Sequence, residues 1–295
     1  MSATTRTRPR PRARAAAVRP NARTRDTSPR RKLRLSARLA MYLALIVLAA
    51  IWLYPIVVAL YQSVAAGGIG NYAAVLNHPV FNYWQAVGNS FLIAGVSTIA
   101  IMAISTLAGY AFAKMQFAGK EWIYRLLLAC LAIPVAAVVT PLFSTINSLH
   151  LRDTYLGVII PLTAFNVLVM LLIMRNHFEG IPDELLEAAT LDGAGPFKTL
   201  VRILLPLSGP ALATIGVLSF VYCWNEYLLP NLLLSSPELF PVPQAISLLQ
   251  YPRMTQEQIS QLYAGLILMS VPSVIVYIAS QRYLQSGITA GAVKN

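Results

Sequence analysis

The sequence predicts an all-α, polytopic membrane helix bundle of six transmembrane helices, and three observations predict it. Hydrophobic residues make up 57% of the 295 and charged residues 12%, against roughly 45–50% and 25% in soluble domains. Lipid is therefore the solvent for most of the chain. Six stretches with few or no charges are each long enough to cross a hydrocarbon core of about 30 Å, which takes about 20 helical residues. Between them, loops rich in Lys and Arg alternate with poor ones, the pattern that sets membrane orientation.

Residues 1–38 hold twelve Arg and one Lys against a single acid, Asp26, and so carry the whole formal charge of +12. The segment is rich in Arg, Ala, Pro and Thr, has almost nothing to bury, and reads as a disordered tail. It is either a solvated extension or one that adheres to anionic lipid headgroups, which attract each such residue by about 1 kcal/mol. The remaining ten basic residues are matched by ten acids. The body offers no basic groove for nucleic acid.

Residues 39–295 then read as one membrane domain. The predicted spans are Leu39 to Val64, Asn89 to Ala113, Leu126 to Ile146, Tyr155 to Met174, Leu207 to Leu234 and Leu262 to Ser280. The first is too long for a signal peptide, whose apolar core runs about 7–15 residues. The tail, the second loop (Lys114, Lys120, Arg125), the fourth loop (Arg175, Lys198, Arg202) and the C-terminus (Arg282, Lys294) carry the positive charge. The alternate loops hold none, Arg152 alone and Arg253 alone. Both termini are accordingly expected in the cytoplasm.

Several classes of chemistry find no support. Cys130 and Cys223 lie in apolar stretches, where a free thiol behaves as a small hydrophobe. His78, His150 and His177 are scattered and make no helix-spaced ligand pair, so neither a metal nor a nucleophile–base site is expected. Gly119-Lys120 is followed by Glu121 and has no Gly five residues earlier, which excludes a P-loop. Any ATP must bind another chain.

The fourth loop, Arg175 to Pro206, is the most informative segment. Ile181-Pro182 precedes Asp183 and Glu184, which places Pro and acids at a helix start. Leu185, Leu186, Ala188 and Ala189 give an apolar and small-residue face, and Asp192-Gly193 signals a turn. A second helical run follows from Pro196 to Leu205. A short amphipathic helix of this kind either seats in the cleft of a soluble partner or lies on the membrane surface.

Glu187-Ala188-Ala189-x-x-Asp192-Gly193-Ala194, followed by Ile203-x-x-Pro206, resembles the EAA loop of permease subunits in bacterial ATP-binding-cassette importers. Three further segments resemble the carbohydrate branch of that family, of the maltose-permease type. They are Asn89-Ser90 with Gly109-Tyr110-Ala111-Phe112-Ala113-Lys114, then Trp224-Asn225-Glu226-Tyr227, then the C-terminal Gln281 to Lys294. The resemblance covers roughly residues 39 to 295 and excludes the Arg-rich tail.

The resemblance implies a type I importer permease fold in the bacterial inner membrane. It implies a second homologous permease, two ATPase subunits and an extracytoplasmic solute-binding protein as partners, beside membrane lipid and with no nucleic acid. It further implies a coupling helix at Asp183 to Asp192, with Glu187, Ala188, Ala189, Asp192 and Gly193 docking on the ATPase. No cofactor is expected on this chain, and ATP-Mg is expected on the ATPase. The chain is then a transport subunit rather than an enzyme.

Glu226 reads as the one ionisable residue deep inside a span, about 30 Å from Pro206 along a helix of twenty residues. Such groups usually face a bundle interior or a water-filled path. Three readings stay open: Glu226 lines a substrate path with Trp224, Asn225 and Tyr227, or reaches headgroups from an aromatic belt, or bonds a partner subunit. Two other function classes also remain. A secondary transporter would show inverted repeats, and a membrane enzyme acting on a lipid-linked substrate would need a cluster of acids or His at the interface.

Overall fold

The computed structural model describes the backbone of residues 35–292 and the side chains of residues 38–281. The tail expected to be disordered lies outside the described residues up to residue 34, as do the side chains of the C-terminal motif from Arg282 onward. The chain divides into two units, residues 1–52 and residues 53–295. In the first, the described residues form the beginning of α1 (Leu35–Ala65), and every side chain from 38 to 52 is exposed. An apolar helix with an exposed apolar surface suits lipid or another membrane chain.

The second unit starts within α1, which ends in a turn where Gly67 and Gly68 take φ of +89° and +60°, a region that Gly enters at no steric cost. The short α2 (Gly70–Leu76) folds back, and its buried Asn71 donates to the carbonyls of Ser63 (2.8 Å) and Ala66 (2.6 Å). These bonds satisfy acceptors that a helix C-terminus leaves orphaned. The long α3 (Tyr83–Lys114) opens at Asn82, whose side chain accepts the Gln85 N–H. It begins upstream of Asn89, where the apolar run had placed it, because a cap rather than hydrophobicity decides where a helix starts.

The third predicted span is two helices, α4 (Lys120–Cys130) and α5 (Val135–Ser148), bent by 100°. Pro134 explains the break, since it has no N–H for the helix ladder and pushes Ile133 out of helical conformation. Arg175 lies over the Tyr124 ring of α4 at 3.7 Å from its centroid and pairs with Glu179 at 2.8 Å. This cation–π contact ties α4, which has no buried residue, to the next helix. That helix is α6 (Tyr155–Glu179), capped by Thr154, which accepts the Gly157 N–H.

After α6 come α7 (Glu184–Leu191) and α8 (Pro196–Thr199), a π-helical turn over Leu200–Leu204, α9 (Leu205–Leu207) and α10 (Gly209–Trp224). The last two meet at Ser208 in a bend of 82°. The fifth span, expected to run unbroken to Leu234, stops at Trp224. Pro230 accounts for this, because in a continuous helix its ring would clash with the carbonyl of Glu226. The chain instead restarts as α11 (Leu228–Leu233), with Pro230 in its first turn, and continues through α12 (Val242–Ser247) into α13 (Gln256–Ala292).

Among the described residues four helices are long and apolar enough to cross a membrane alone, α1, α3, α6 and α13, and the number rises to six if each bent pair is one span. No strand occurs among those residues. At the centre α3 packs on α6 and α10, and α10 packs on α13. The α3 stripe is built of Ala94, Ser97, Ile101 and Ser105, all fully buried, and small residues of this kind let helix backbones approach closely. Gly109 is a point of close approach to α6: a Cβ there would stand 2.8 Å from Met174 Cβ and 3.0 Å from the Arg175 backbone nitrogen.

Gly109→Ala is expected to destabilise the detergent-solubilised protein by about 1–3 kcal/mol through overpacking. Gly95→Ala, on the same helix with nothing within 4 Å of its would-be Cβ, is expected to be neutral or to stabilise by up to about 1 kcal/mol. Paired thermal melts check this, and equal effects at both positions would remove the close-approach explanation.

Candidate functional site

Two regions at opposite ends of α3 gather the residues singled out in the sequence. At the C-terminal end of α3 lies the loop Arg175 to Pro206. The first turn of α7 carries Glu184 and Glu187, where negative charge meets the positive end of the helix dipole. Its end is a Schellman motif: the Gly193 N–H bonds the Thr190 carbonyl at 3.0 Å and the Ala194 N–H bonds the Ala189 carbonyl at 2.9 Å. The motif needs a left-handed residue after the cap, and Gly193 supplies it with φ of +73°. Asp192-Gly193 is thus a helix stop, and Gly193 has a conformational reason to be glycine.

Of α7, only Ala189 is buried and Leu186 half-buried; Glu184, Leu185, Glu187, Ala188 and Leu191 are exposed. Leu191 is 89% exposed, and Phe197 on α8 is 72% exposed. The helix leans on its own chain by one narrow stripe and turns a surface of acids, small residues and large apolar side chains outward. A soluble protein seldom leaves such apolar surface open unless something covers it.

At the other end of α3, Asn89 and Ser90 organise the segment after α11. The Asn89 amide donates to the carbonyls of Glu238 (2.7 Å) and Phe240 (3.1 Å), and its oxygen accepts the Tyr155 hydroxyl at 2.8 Å. Ser90 accepts the Val242 N–H at 2.8 Å. Asp153, in the turn before α6, accepts the N–H groups of Ser235 (2.8 Å) and Ser236 (3.0 Å) and the Ser236 hydroxyl (2.5 Å). Its own N–H donates to Leu233. These bonds seat α12, nearly all of it buried, back into the bundle between α3 and α13.

Asn89 and Ser90 were visible in the sequence only as part of a resemblance, and Asp153 was passed over. Its signal was there, an Asp-Thr pair directly before an apolar run, the pattern of a helix start.

The structure separates the four residues of the proposed path. Trp224 is 1% exposed, packs its ring on Phe91 and Phe220, and donates its indole N–H to the Met269 carbonyl at 3.0 Å. It is a core residue holding α10 to α3 and α13. Asn225 is exposed and donates to Val221 (2.7 Å) and to Ser273 (3.1 Å). Glu226 lies in the break between α10 and α11 rather than within a helix, half-buried, and accepts the Leu229 N–H at 3.1 Å. Tyr227 is 43% exposed. Asn225, Glu226 and Tyr227 therefore form a polar break that interrupts an apolar span.

The family model described as binding-protein-dependent transport system inner membrane component matches residues 102–290. The chain belongs to this family. The permease is 35% identical over 212 residues to the arabinooligosaccharides transport system permease protein AraQ of Halalkalibacterium halodurans, covering 72% of this chain and 75% of that one. It is 34% identical over 224 residues to the trehalose/maltose transport system permease protein MalG of Thermococcus litoralis, covering 76% and 80%. With the osmoprotective compounds uptake permease protein GgtD of Synechocystis the identity is 30% over 301 residues, covering 95% and 99%.

Among solved structures, the permease fold resembles a chain of a bacterial ABC transporter involved in the import of the acidic polysaccharide alginate. The TM-score is 0.72 at 24% identity, covering 84% of this chain and 96% of that one. The inward-facing MetNI methionine ABC transporter gives 0.53 at 16% identity, covering 70% and 94%. The permease is a multi-pass membrane protein of the ABC importer class, a transport component and not an enzyme, and the secondary-transporter and membrane-enzyme readings are not favoured.

Asp153 supplies a prediction outside the spans. The Ser236 hydroxyl, followed by the Ser235 and Ser236 N–H groups, holds its carboxyl below the ordinary value of 3.8. A depressed carboxylate stabilises the fold above its unfolded value, and that stabilisation is lost as pH falls through the folded value. Asp153→Asn, which also tolerates the φ of +58° found there, is expected to cost about 1 kcal/mol at about pH 6. The gap between the melts of the two proteins should narrow as pH falls below 3.8 and through the lowered folded value, where the wild-type carboxyl takes up a proton as well; a gap that does not narrow with acidification would mean that charge plays no part.

Proposed function

We propose that the chain is the permease subunit of an ATP-driven, solute-binding-protein-dependent sugar importer, and that α7 is its coupling helix. The observation that carries the reading is the exposed surface of α7. The helix is eight residues long, is closed at its C-terminal end by the Gly193 motif, and leaves Glu187, Ala188 and Leu191 exposed. A rigid, narrow helix of this shape fits a cleft in a soluble partner, where its exposed leucines are covered and its small residues permit close approach. Glu187, Ala188, Ala189, Asp192 and Gly193 then have distinct parts: Glu187 and Ala188 meet the partner, Ala189 fixes the helix to the bundle, and Asp192-Gly193 ends it.

The partners under this reading are a second homologous permease, two ATPase subunits that hold ATP-Mg, and an extracytoplasmic solute-binding protein; this chain holds no cofactor. The permease domain spans residues 39–295, with the coupling loop at 175–206 and the tail of residues 1–38 outside it. The Lys and Arg distribution supports a cytoplasmic position for both termini and for α7. The sugar assignment is supported by relatives named for arabinooligosaccharide and trehalose/maltose transport. The path is formed half by this chain, with Asn225, Glu226 and Tyr227 at the break offering polar groups to hydroxyls, and with Trp224 fixing the break from behind. ATP-driven closure of the ATPase pair moves α7, and the permease pair exchanges inward-open for outward-open.

The test is a mild-detergent pull-down of the tagged permease from its native membrane, with copurifying chains identified and ATP hydrolysis assayed. A Walker-motif ATPase and a second six-span permease are expected. Glu187→Ala, whose side chain makes no contact needed for the fold, is expected to reduce copurified ATPase and its hydrolysis about tenfold or more. Undiminished ATPase in that variant would show that α7 is not the docking element.

A further inference from the structure

The connections of α7 to its neighbours in the chain are weak levers. Upstream it is joined to α6 through Gly180 to Asp183, and downstream to α8 through Gly193, Ala194 and Gly195. Both links contain glycine, and α7 buries little more than Ala189 against its own chain. A helix held only in this way would pivot when its partner moved and leave the bundle in place.

The end of α3 supplies what those links lack. The Lys114 side chain, 6% exposed, donates to Asp183 Oδ1 at 2.5 Å and to the Ile181 carbonyl at 2.6 Å, on the approach to α7. Tyr110 is 7% exposed, sits edge-on to Phe178 of α6, and donates its hydroxyl to the Pro196 carbonyl at 3.2 Å, beyond the far end of α7. Four residues apart, Tyr110 and Lys114 share one face of α3. One face of one helix thus grips the chain before α7 and after it. Directly beside them Gly109 sets α3 close against Met174 and the Arg175 backbone of α6, so the gripping face adjoins the packing of the central helix pair.

We infer that Tyr110 and Lys114 are positioning residues that transmit the motion of α7 to the α3–α6 pair, α3 and α7 moving as one body. This rests on the reading of α7 as the coupling helix. The Lys114 grip is suited to the task because its ammonium is nearly dry and its two bonds go to a charge and a carbonyl, the stronger kind of hydrogen bond. The exposed Asp183 costs little to hold. Lys114→Met keeps the length and packing of the stem and leaves no buried charge unpaired. Tyr110→Phe removes only the hydroxyl.

The experiment uses the purified complex with nitroxide labels at Thr190→Cys on α7, beside its buried stripe, and at Leu107→Cys on α3, in a Cys130→Ser and Cys223→Ala background. Pulsed electron resonance reads the distance between them before and after ATP-Mg. In the otherwise unchanged protein the distance is expected to stay constant. In the Lys114→Met, Tyr110→Phe double variant, with ATPase still bound and basal hydrolysis within about twofold, it is expected to shift by several ångström on ATP-Mg; Lys114→Arg restores constancy.

A distance that changes in the unchanged protein, or stays constant in the double variant, overturns the proposal. So does loss of the ATPase from the double variant, which would make the two residues mere supports of the loop. Failure of the coupling-helix reading itself is recognised separately, by Glu187→Ala retaining its ATPase.

Discussion

The close approach of α3 and α6 is the constraint on which the rest of the structure depends. At the C-terminal end of α3 it is made possible by a residue without bulk, Gly109, whose would-be Cβ stands 2.8 Å from Met174 Cβ. In lipid there is no hydrophobic force between apolar helices, so their association relies on packing at short range and on hydrogen bonds. The most extensive packing between helices in the structure is that of α3 on α6. The segment after α11 and the loop that carries α7 are fastened at opposite ends of α3.

At one end Asn89 and Ser90 receive the segment after α11, with Asp153 and Tyr155 contributing from the start of α6. At the other, Tyr110 and Lys114 receive the loop that carries α7. All of these fastenings are hydrogen bonds from side chains to backbone groups or to other side chains, outside or at the rim of the spans. This division has a physical basis. Irregular backbone at membrane depth is tolerated only where other protein satisfies its polar groups or where it lines water. Segments such as α12 are consequently pulled into the bundle by specific bonds rather than left against lipid.

The two broken spans show the same economy. Pro134 ends α4 and opens α5, and Pro230 forces the stop at Trp224 and the restart at Leu228. Each break frees backbone groups, and the residues at the second break answer that need directly: Asn225 returns a bond to Val221, and Glu226 takes up the Leu229 N–H. The polar residues that mark the break thus have a structural task in the chain itself.

The sequence by itself determined the medium, the all-α class, the approximate positions of the apolar spans and the loop that carries α7. These rest on properties that are local or additive: apolar run length, charge counts, and capping signals such as Asp192-Gly193, which acts through its own backbone. The tertiary structure alone decided where the crossings break, which residues hold the loops, and which signature residues face outward. Hydropathy could not tell that the helix over Leu207 to Leu234 is interrupted at Ser208 and again after Trp224, because a broken helix and a straight one have the same composition. Nor could it place Trp224 in the core beside an exposed Asn225, or bring Lys114 to Asp183 across sixty-nine positions. Those facts depend on which helices lie side by side, a matter of long-range fit such as that of Gly109 against Met174, which no local pattern in the sequence encodes.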